Sequence, residues 1–113
     1  MSTDCLFCRI VRGEIPATLV AEDEHCIAFR DISPQAPTHF LVVPRLHVAT
    51  LDAATDAALL GRVLAMAASV ARREGIVDAG YRTVINTNAG AGQTVFHLHA
   101  HVLGGRRFTW PPG

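Results

Sequence analysis

The chain has no lysine: all ten of its basic residues are arginines, and ten acidic residues balance them to a formal net charge of zero. Neutrality excludes the usual nucleic-acid and membrane-surface binders, which carry an excess of positive charge. The missing lysine itself says little about function, since GC-rich coding gives the same bias. Aromatics are scarce, 6% of 113 residues, yet half the chain is apolar, so it reads as globular and not as disordered or fibrous. Long apolar runs are absent too. Arg62 interrupts the best candidate, short of the roughly 18 residues of a membrane span. Met1-Ser2-Thr3-Asp4 lacks the basic and apolar regions of a secretory leader. The cysteines number three, two of them only three apart. That suits a reducing cytoplasm and a metal or redox role better than a disulfide framework. A single domain over 1–113 is expected, burying about two-thirds of the surface its unfolded chain exposes.

Taken in order, Cys5 to Arg12 reads as a turn or one or two helical turns closed by Gly13. Cys5-x-x-Cys8 puts two thiols within reach of one ion; two small buried apolar residues would show the same spacing. Leu19–Ala21 and Cys26–Phe29 read as short strands around the polar turn Glu22-Asp23-Glu24-His25. Phe40-Leu41-Val42-Val43 is a fully apolar run of strand length, hence a central strand that Pro44 ends. One long helix is predicted from Ala53 to Glu74, with Thr50 or Asp52 as N-cap and Gly75 just past its end. Thr55, Arg62, Ser69 and Arg73 form a narrow polar stripe on it, and apolar residues cover most of the rest. One sheet does not bury so wide a surface, so the helix is either sunk in its own core or packed on a second copy of the chain. Tyr81–Asn86 reads as a strand, and Thr87 to Thr94 as a small-residue loop whose glycines let backbone N–H groups turn toward an anion. Residues 106–113, with the only tryptophan and Pro111-Pro112, are predicted to run as an extended tail.

The most informative stretch is Val95 to Gly105. His97, His99 and His101 alternate with Leu98, Ala100 and Val102, a strand pattern that sets three imidazoles on one face and apolar residues on the other. Such a row has three readings: metal ligands, a structural polar face, or nucleophilic catalysis at phosphorus. Imidazoles about 7 Å apart do not all converge on one ion easily. A neutral imidazole attacks phosphorus and leaves readily from the phosphorylated intermediate, and the adjoining glycine loop fits that chemistry best.

His97-Leu98-His99-Ala100-His101-Val102-Leu103 resembles the signature of the histidine-triad (HIT) superfamily. Phe29 to His39, Gly92-Gln93-Thr94-Val95-Phe96 and Trp110-Pro111-Pro112-Gly113 are similar to its HINT branch, the histidine-triad nucleotide-binding phosphoramidases. The resemblance runs from about Cys5 to Gly113. It implies an α+β fold: an antiparallel sheet of about five strands, one long helix and one short N-terminal helix, dimerising into a continuous sheet. It also implies hydrolysis of purine nucleoside phosphoramidates and related adenylates through a nucleotidyl-histidine intermediate, with no catalytic cofactor.

By position, the resemblance makes His99 the nucleophile, His101 the partner of the phosphate, and His39 a member of the histidine relay. Asp31 would hold the ribose, with Phe7, Ile10, Phe29 and Ile32 around the base. Asn86, Gly92, Gln93 and Thr94 would lie on the phosphate and ribose side. Thr94 stands where the family usually has serine, and keeps the hydroxyl that donates a proton to the leaving group. Trp110 would reach the partner's site across the dimer. Cys5-x-x-Cys8 departs from the animal pattern and is similar to a bacterial subset and to related uridylyltransferases, which implies a structural zinc on Cys5, Cys8, His47 and His97. The rival readings are a dinucleoside-polyphosphate hydrolase, a nucleotide-binding scaffold or sensor, and a zinc-dependent metalloenzyme.

Overall fold

A computed structural model describes residues 5–113. The leader reading of residues 1–4 lies outside them. The chain forms α1 (Leu6–Val11), β1 (Leu19–Glu22), β2 (Cys26–Arg30), β3 (Thr38–Pro44), α2 (Ala57–Arg73), β4 (Tyr81–Val84) and β5 (Ala100–Gly104), with a short 3₁₀ turn at Ala89–Ala91. The five strands make one antiparallel sheet in the order β1-β2-β3-β5-β4. No helix among the described residues is long and apolar enough to cross a membrane.

The apolar run at Phe40 does lie at the centre of the sheet, and both its faces are covered. Cys26, Ala28, Phe40, Val42, Ala100 and Val102 pack under Leu59, Val63, Met66, Ala67 and Val70 of α2. Ile27, Phe29, Leu41 and Val43 pack on the other face with Phe7 of α1. Each strand therefore alternates between two cores, which is why β2 and β3 read as unbroken apolar runs. Burying a side chain as fully as Phe40 contributes about 1.5–3 kcal/mol.

Three boundaries differ from the sequence reading. The long helix starts at Ala57 instead of Ala53, with Asp56 as N-cap accepting from the Ala58 N–H at 2.9 Å. Thr50 does cap, but only an isolated turn, through the Ala53 N–H at 3.0 Å. Neither Thr50 nor Asp52, the two caps expected from the sequence, starts the helix, and Thr55 falls outside the polar stripe predicted for it. Secondly, β4 ends at Val84, before Asn86.

Thirdly, the histidine stretch pairs only from Ala100 onward. Val42 lies opposite Ala100, and the next residues of β3 run into Pro44, which has no N–H to donate. The chain leaves the ladder there, and the Leu98 N–H donates to the Val48 carbonyl at 2.6 Å. His97 and His99 thus precede the strand, although the alternation of faces persists through them. Leu98 joins the α2 core, while Phe7 meets the His97 and His99 rings from the other side.

The helix surface also divides. Leu59, Val63, Met66, Ala67, Val70 and Ala71 are buried against the sheet, but Leu64 is 49% exposed and Gly61 lies open beside it.

Candidate active site and an adjoining metal cluster

Two backbone contacts and one bond between rings fix which nitrogen of His99, His39 and His101 holds the proton. The Nδ1 of His99 lies 2.7 Å from the His97 carbonyl oxygen, and an imidazole can only donate to a carbonyl. His99 therefore carries its hydrogen on Nδ1 and has a lone pair on Nε2. The Gln35 backbone N–H donates to Nδ1 of His39 at 3.0 Å, so the hydrogen of that ring sits on Nε2. That Nε2 is 2.9 Å from Nδ1 of His101, to which it donates, and the hydrogen of His101 is left on its own Nε2. The result is a directed row: Gln35 to His39, His39 to His101. Asp31 stands beside it, with Oδ2 3.4 Å from His39 Nε2 and 3.8 Å from His101 Nδ1.

Burial keeps these rings neutral. It holds His101 down at about 4, helped by the neighbouring His99 and His39 and opposed by Asp31. Burial likewise lowers His99, against the hydrogen bond to His97, and lowers His39, against Asp31. A neutral ring is the form that attacks or relays.

His99 and His101 line a cavity of about 510 Å³. Phe7, Ile10, Phe29 and Ile32 give it an apolar wall, and Asp31, Asn86, Gly92 and Thr94 a polar one. Ile32 is fully exposed at its rim. The loop before the histidines turns through Asn88 and Gly92, both at positive φ, which a residue with a Cβ seldom adopts. The N–H groups of Asn88, Ala91, Gly92 and Gln93 are taken up by acceptors inside the loop, so it turns fewer donors toward an anion than the sequence reading expected.

Against the back of this site, Cys5, Cys8, His47 and His97 bring one donor atom each within 4.8 Å of one another. The edges are 3.4 Å (Cys5 Sγ to His97 Nδ1), 3.2 Å (Cys8 Sγ to His47 Nδ1), 3.5 Å (Cys8 Sγ to His97 Nδ1) and 3.3 Å between the two Nδ1 atoms. A tetrahedral ion bound at about 2.3 Å to sulfur and about 2.0 Å to nitrogen requires S–N edges of about 3.5 Å and N–N edges of about 3.3 Å. The tautomer agrees, since the Nε2–H of His97 donates to the Pro44 carbonyl at 2.7 Å and leaves Nδ1 free as a ligand. The donor set fits a metal.

Asp31, His39 and His101 also cluster within 4.8 Å, but there the donors do not fit. Gln35 holds His39 with its hydrogen on the very nitrogen that faces the group. A cation would need that ring stripped of both protons.

A cavity beside a directed histidine row is the setting in which the likeness to known proteins can be weighed. The HIT domain model matches residues 12–108. The chain belongs to the HIT domain family. It is 54% identical over 115 aligned positions to an uncharacterized HIT-like protein of Synechococcus elongatus, covering all of both chains. It is 46% identical over 108 positions to the purine nucleoside phosphoramidase of Escherichia coli K12, covering 94% of this chain and 91% of that one. The crystal structure of a HIT family hydrolase from Legionella pneumophila superposes with a TM-score of 0.95 at 54% identity, over 97% of this chain and all of that one. A histidine triad protein from Clostridium difficile gives 0.92 at 37% identity, over 96% of each.

Within this HIT fold most of the catalytic and nucleotide-site residues singled out in the sequence meet at the cavity, but three do not. Gln93 is buried and fully engaged as a brace: its Oε1 accepts from the Asn88 N–H at 2.7 Å, and its Nε2 donates to the Ala49 and Val95 carbonyls. Trp110 is 82% exposed and lines no wall of the cavity in a single chain. His39 sits behind the cavity and acts through His101. Cys26 is a core residue, and burial pushes its thiol up to about 11. The sequence reading missed Ile15, Pro16 and Leu41 on the apolar wall and the backbone of Gln35 behind the relay. Nothing in the sequence marks a backbone donor; only the crowding of Asp31 to Pro37 with turn residues hinted that the loop is held in one shape.

Proposed function

We propose that this HIT-family hydrolase cleaves the P–N bond of purine nucleoside 5′-phosphoramidates through a nucleotidyl intermediate on His99. The observation that carries the reading is the pinned imidazole of His99, its Nδ1–H on the His97 carbonyl and its lone pair on the cavity side. The 46% identical Escherichia coli relative, named purine nucleoside phosphoramidase, supports the substrate class. In the first step Nε2 of His99 bonds to the α-phosphorus and the P–N bond breaks. The leaving nitrogen takes the hydroxyl proton of Thr94. The Nε2–H of His101 donates to a phosphoryl oxygen, with His39 holding that ring from behind. In the second step water adds to phosphorus, the Nε2–P bond breaks, and the water proton returns to Thr94. The purine lies between Phe7, Ile10, Phe29 and Ile32, the ribose hydroxyls donate to Asp31, and Asn86 and Gly92 flank the phosphate.

Cys5, Cys8, His47 and His97 would hold a zinc ion, whose contribution is a cross-link with no open position for chemistry. The exposed Leu64 and the open edge of β4 support a homodimer with a continuous sheet, in which Trp110 reaches the partner's cavity. Three free cysteines suit the cytoplasm.

Steady-state hydrolysis of adenosine and guanosine 5′-phosphoramidates tests the reading, alongside a His99→Ala variant. Turnover is expected only in the parent protein, with a nucleotidyl adduct trapped on His99 by rapid mass spectrometry, while the variant keeps nucleotide binding. Wild-type-like turnover in His99→Ala would sink the mechanism. Faster cleavage of diadenosine polyphosphates would sink the substrate class.

A further inference from the structure

The direction of the histidine row is set at its far end by one backbone N–H, so whatever holds Gln35 holds the relay. The loop from Asp31 to His39 closes on itself through the Asp31 N–H and the His39 carbonyl at 3.0 Å. Inside it, Ser33 N–H donates to Asp31 Oδ1 at 2.7 Å, and the Gln35 side chain donates to the Ser33 carbonyl at 2.9 Å. These contacts shape the loop but leave its outer side, Pro34 to Pro37, exposed to water apart from half-buried Ala36.

Two residues beyond the end of β5 grip that outer side. Nε of Arg106 donates to the Gln35 carbonyl at 2.9 Å, while its guanidinium lies over the Phe108 ring, 4.3 Å from the centroid. The stacking matters because an exposed arginine would otherwise be free to leave a carbonyl. Gly105, at φ +89°, is in contact with the same loop: a Cβ there would stand 2.9 Å from Cβ of Pro37. Gln35 is therefore held on both sides, its carbonyl by Arg106 and its N–H by His39.

We propose that Gly105 and Arg106 are positioning residues for the histidine relay: by clamping the Asp31–Pro37 loop they aim the Gln35 N–H at His39 and so fix which way the protons of His39 and His101 point. Without the clamp, Gln35 turns away, Nδ1 of His39 is free to take the hydrogen, and the His39–His101 hydrogen bond runs backwards. His101 then offers a lone pair to the phosphate where it should offer a hydrogen. Neither residue touches the nucleotide. The consequence for turnover rests on the phosphoramidase reading above; the consequence for the tautomers does not.

The test uses the full-length protein, labelled with ¹⁵N-histidine, in the parent, Arg106→Ala, Arg106→Lys and Gly105→Ala forms. Long-range NMR correlations report which ring nitrogen of His39 and His101 carries the hydrogen. The parent is expected to be Nε2-protonated at both, Arg106→Ala and Gly105→Ala to show a mixture, and Arg106→Lys, which still donates to the carbonyl, to return toward the parent. Turnover of adenosine phosphoramidate is expected to follow, with kcat about tenfold lower in Arg106→Ala, KM within about threefold, and recovery in Arg106→Lys. Parent-like tautomers in both Arg106→Ala and Gly105→Ala overturn the clamp. So does a loss of kcat in Arg106→Ala with the tautomers unchanged, since that is damage of another kind. Absence of turnover in the parent, with the tautomers shifting as described, counts against the phosphoramidase reading and leaves the clamp standing.

Discussion

The ring of His99 is held by the backbone of His97: its Nδ1–H donates to the carbonyl two residues earlier at 2.7 Å. The side chain of that same His97 belongs to the cysteine–histidine cluster and donates from Nε2 to the Pro44 carbonyl. Residue 97 is thus fixed at three points, and the His99 ring inherits its placement.

The first prediction concerns the tautomer itself. A buried hydrogen bond to a carbonyl favours one ring form by about 1 kcal/mol or more, so His99 should be at least about 80% Nδ1-protonated near neutral pH. Histidine ¹⁵N shifts measure this. A dominant Nε2-protonated form would leave no lone pair on the cavity side and would count against His99 as nucleophile.

The cluster gives the second. Protein purified without chelator should contain one zinc per chain, and stripping it should lower Tm by at least about 10 °C, because metal-binding energy in such a site is folding energy and each kcal/mol shifts Tm by about 4–8 °C in a domain of this size. Elemental analysis and thermal scans check it, with Cys8→Ser as the comparison. Full zinc occupancy in that variant would speak against the four-ligand site.

A third follows from the depressed histidines. His101 is held at about 4 in the folded chain, against an unfolded value near 6.5. The unfolded chain therefore binds the proton first. The contribution of a neutral His101 is fully present above pH 6.5 and is lost as the pH falls toward 4, by at most about 3 kcal/mol. Urea unfolding of the parent and His101→Gln at several pH values isolates this share, and the variant should show the shallower loss on acidification. Equal slopes would contradict it.

The outer face of α2 supplies the fourth. Leu64, 49% exposed in one chain, is expected to meet its counterpart in a second copy. Leu64→Glu should weaken the dimer at least about 100-fold, since a carboxylate buried in an apolar contact without a partner costs several kcal/mol. Sedimentation equilibrium reads the outcome, and a monomeric parent would rule out the interface.

The parts of the molecule legible in its sequence are those ruled by periodicity. Apolar Phe40–Val43 marked the central strand, and the alternation from His97 to Val102 separated the two faces. What was not legible depends on partners distant in sequence. The ladder stops before Leu98 because Pro44 lies on the facing strand, which no local pattern reveals. The helix begins at Ala57 under Asp56, a cap that the sequence reading missed in favour of Thr50 and Asp52, because the residues the sheet covers start only at Leu59. Gln93 resembled a ligand contact by position, but its amide is engaged by the backbone on three sides. Gln35 acts through its own N–H and carbonyl, main-chain atoms that its residue type does not mark, and Arg106 acts through its side chain on a carbonyl 71 residues away.

The helix α1 is only six residues long, far too short to persist alone in water. Its two thiols, Cys5 at the N-cap and Cys8 within the helix, leave the ribosome before their partners, which follow 92 and 39 residues later. During synthesis Cys5 and Cys8 therefore wait for their histidine partners until His97 has emerged. A segment made before its partners can settle only after them, and Phe7, which it carries into the cavity wall, arrives with it. With the proposed metal in the cluster, a cell short of it at the moment of synthesis would thus produce chains whose sheet is formed but whose cavity is missing one side.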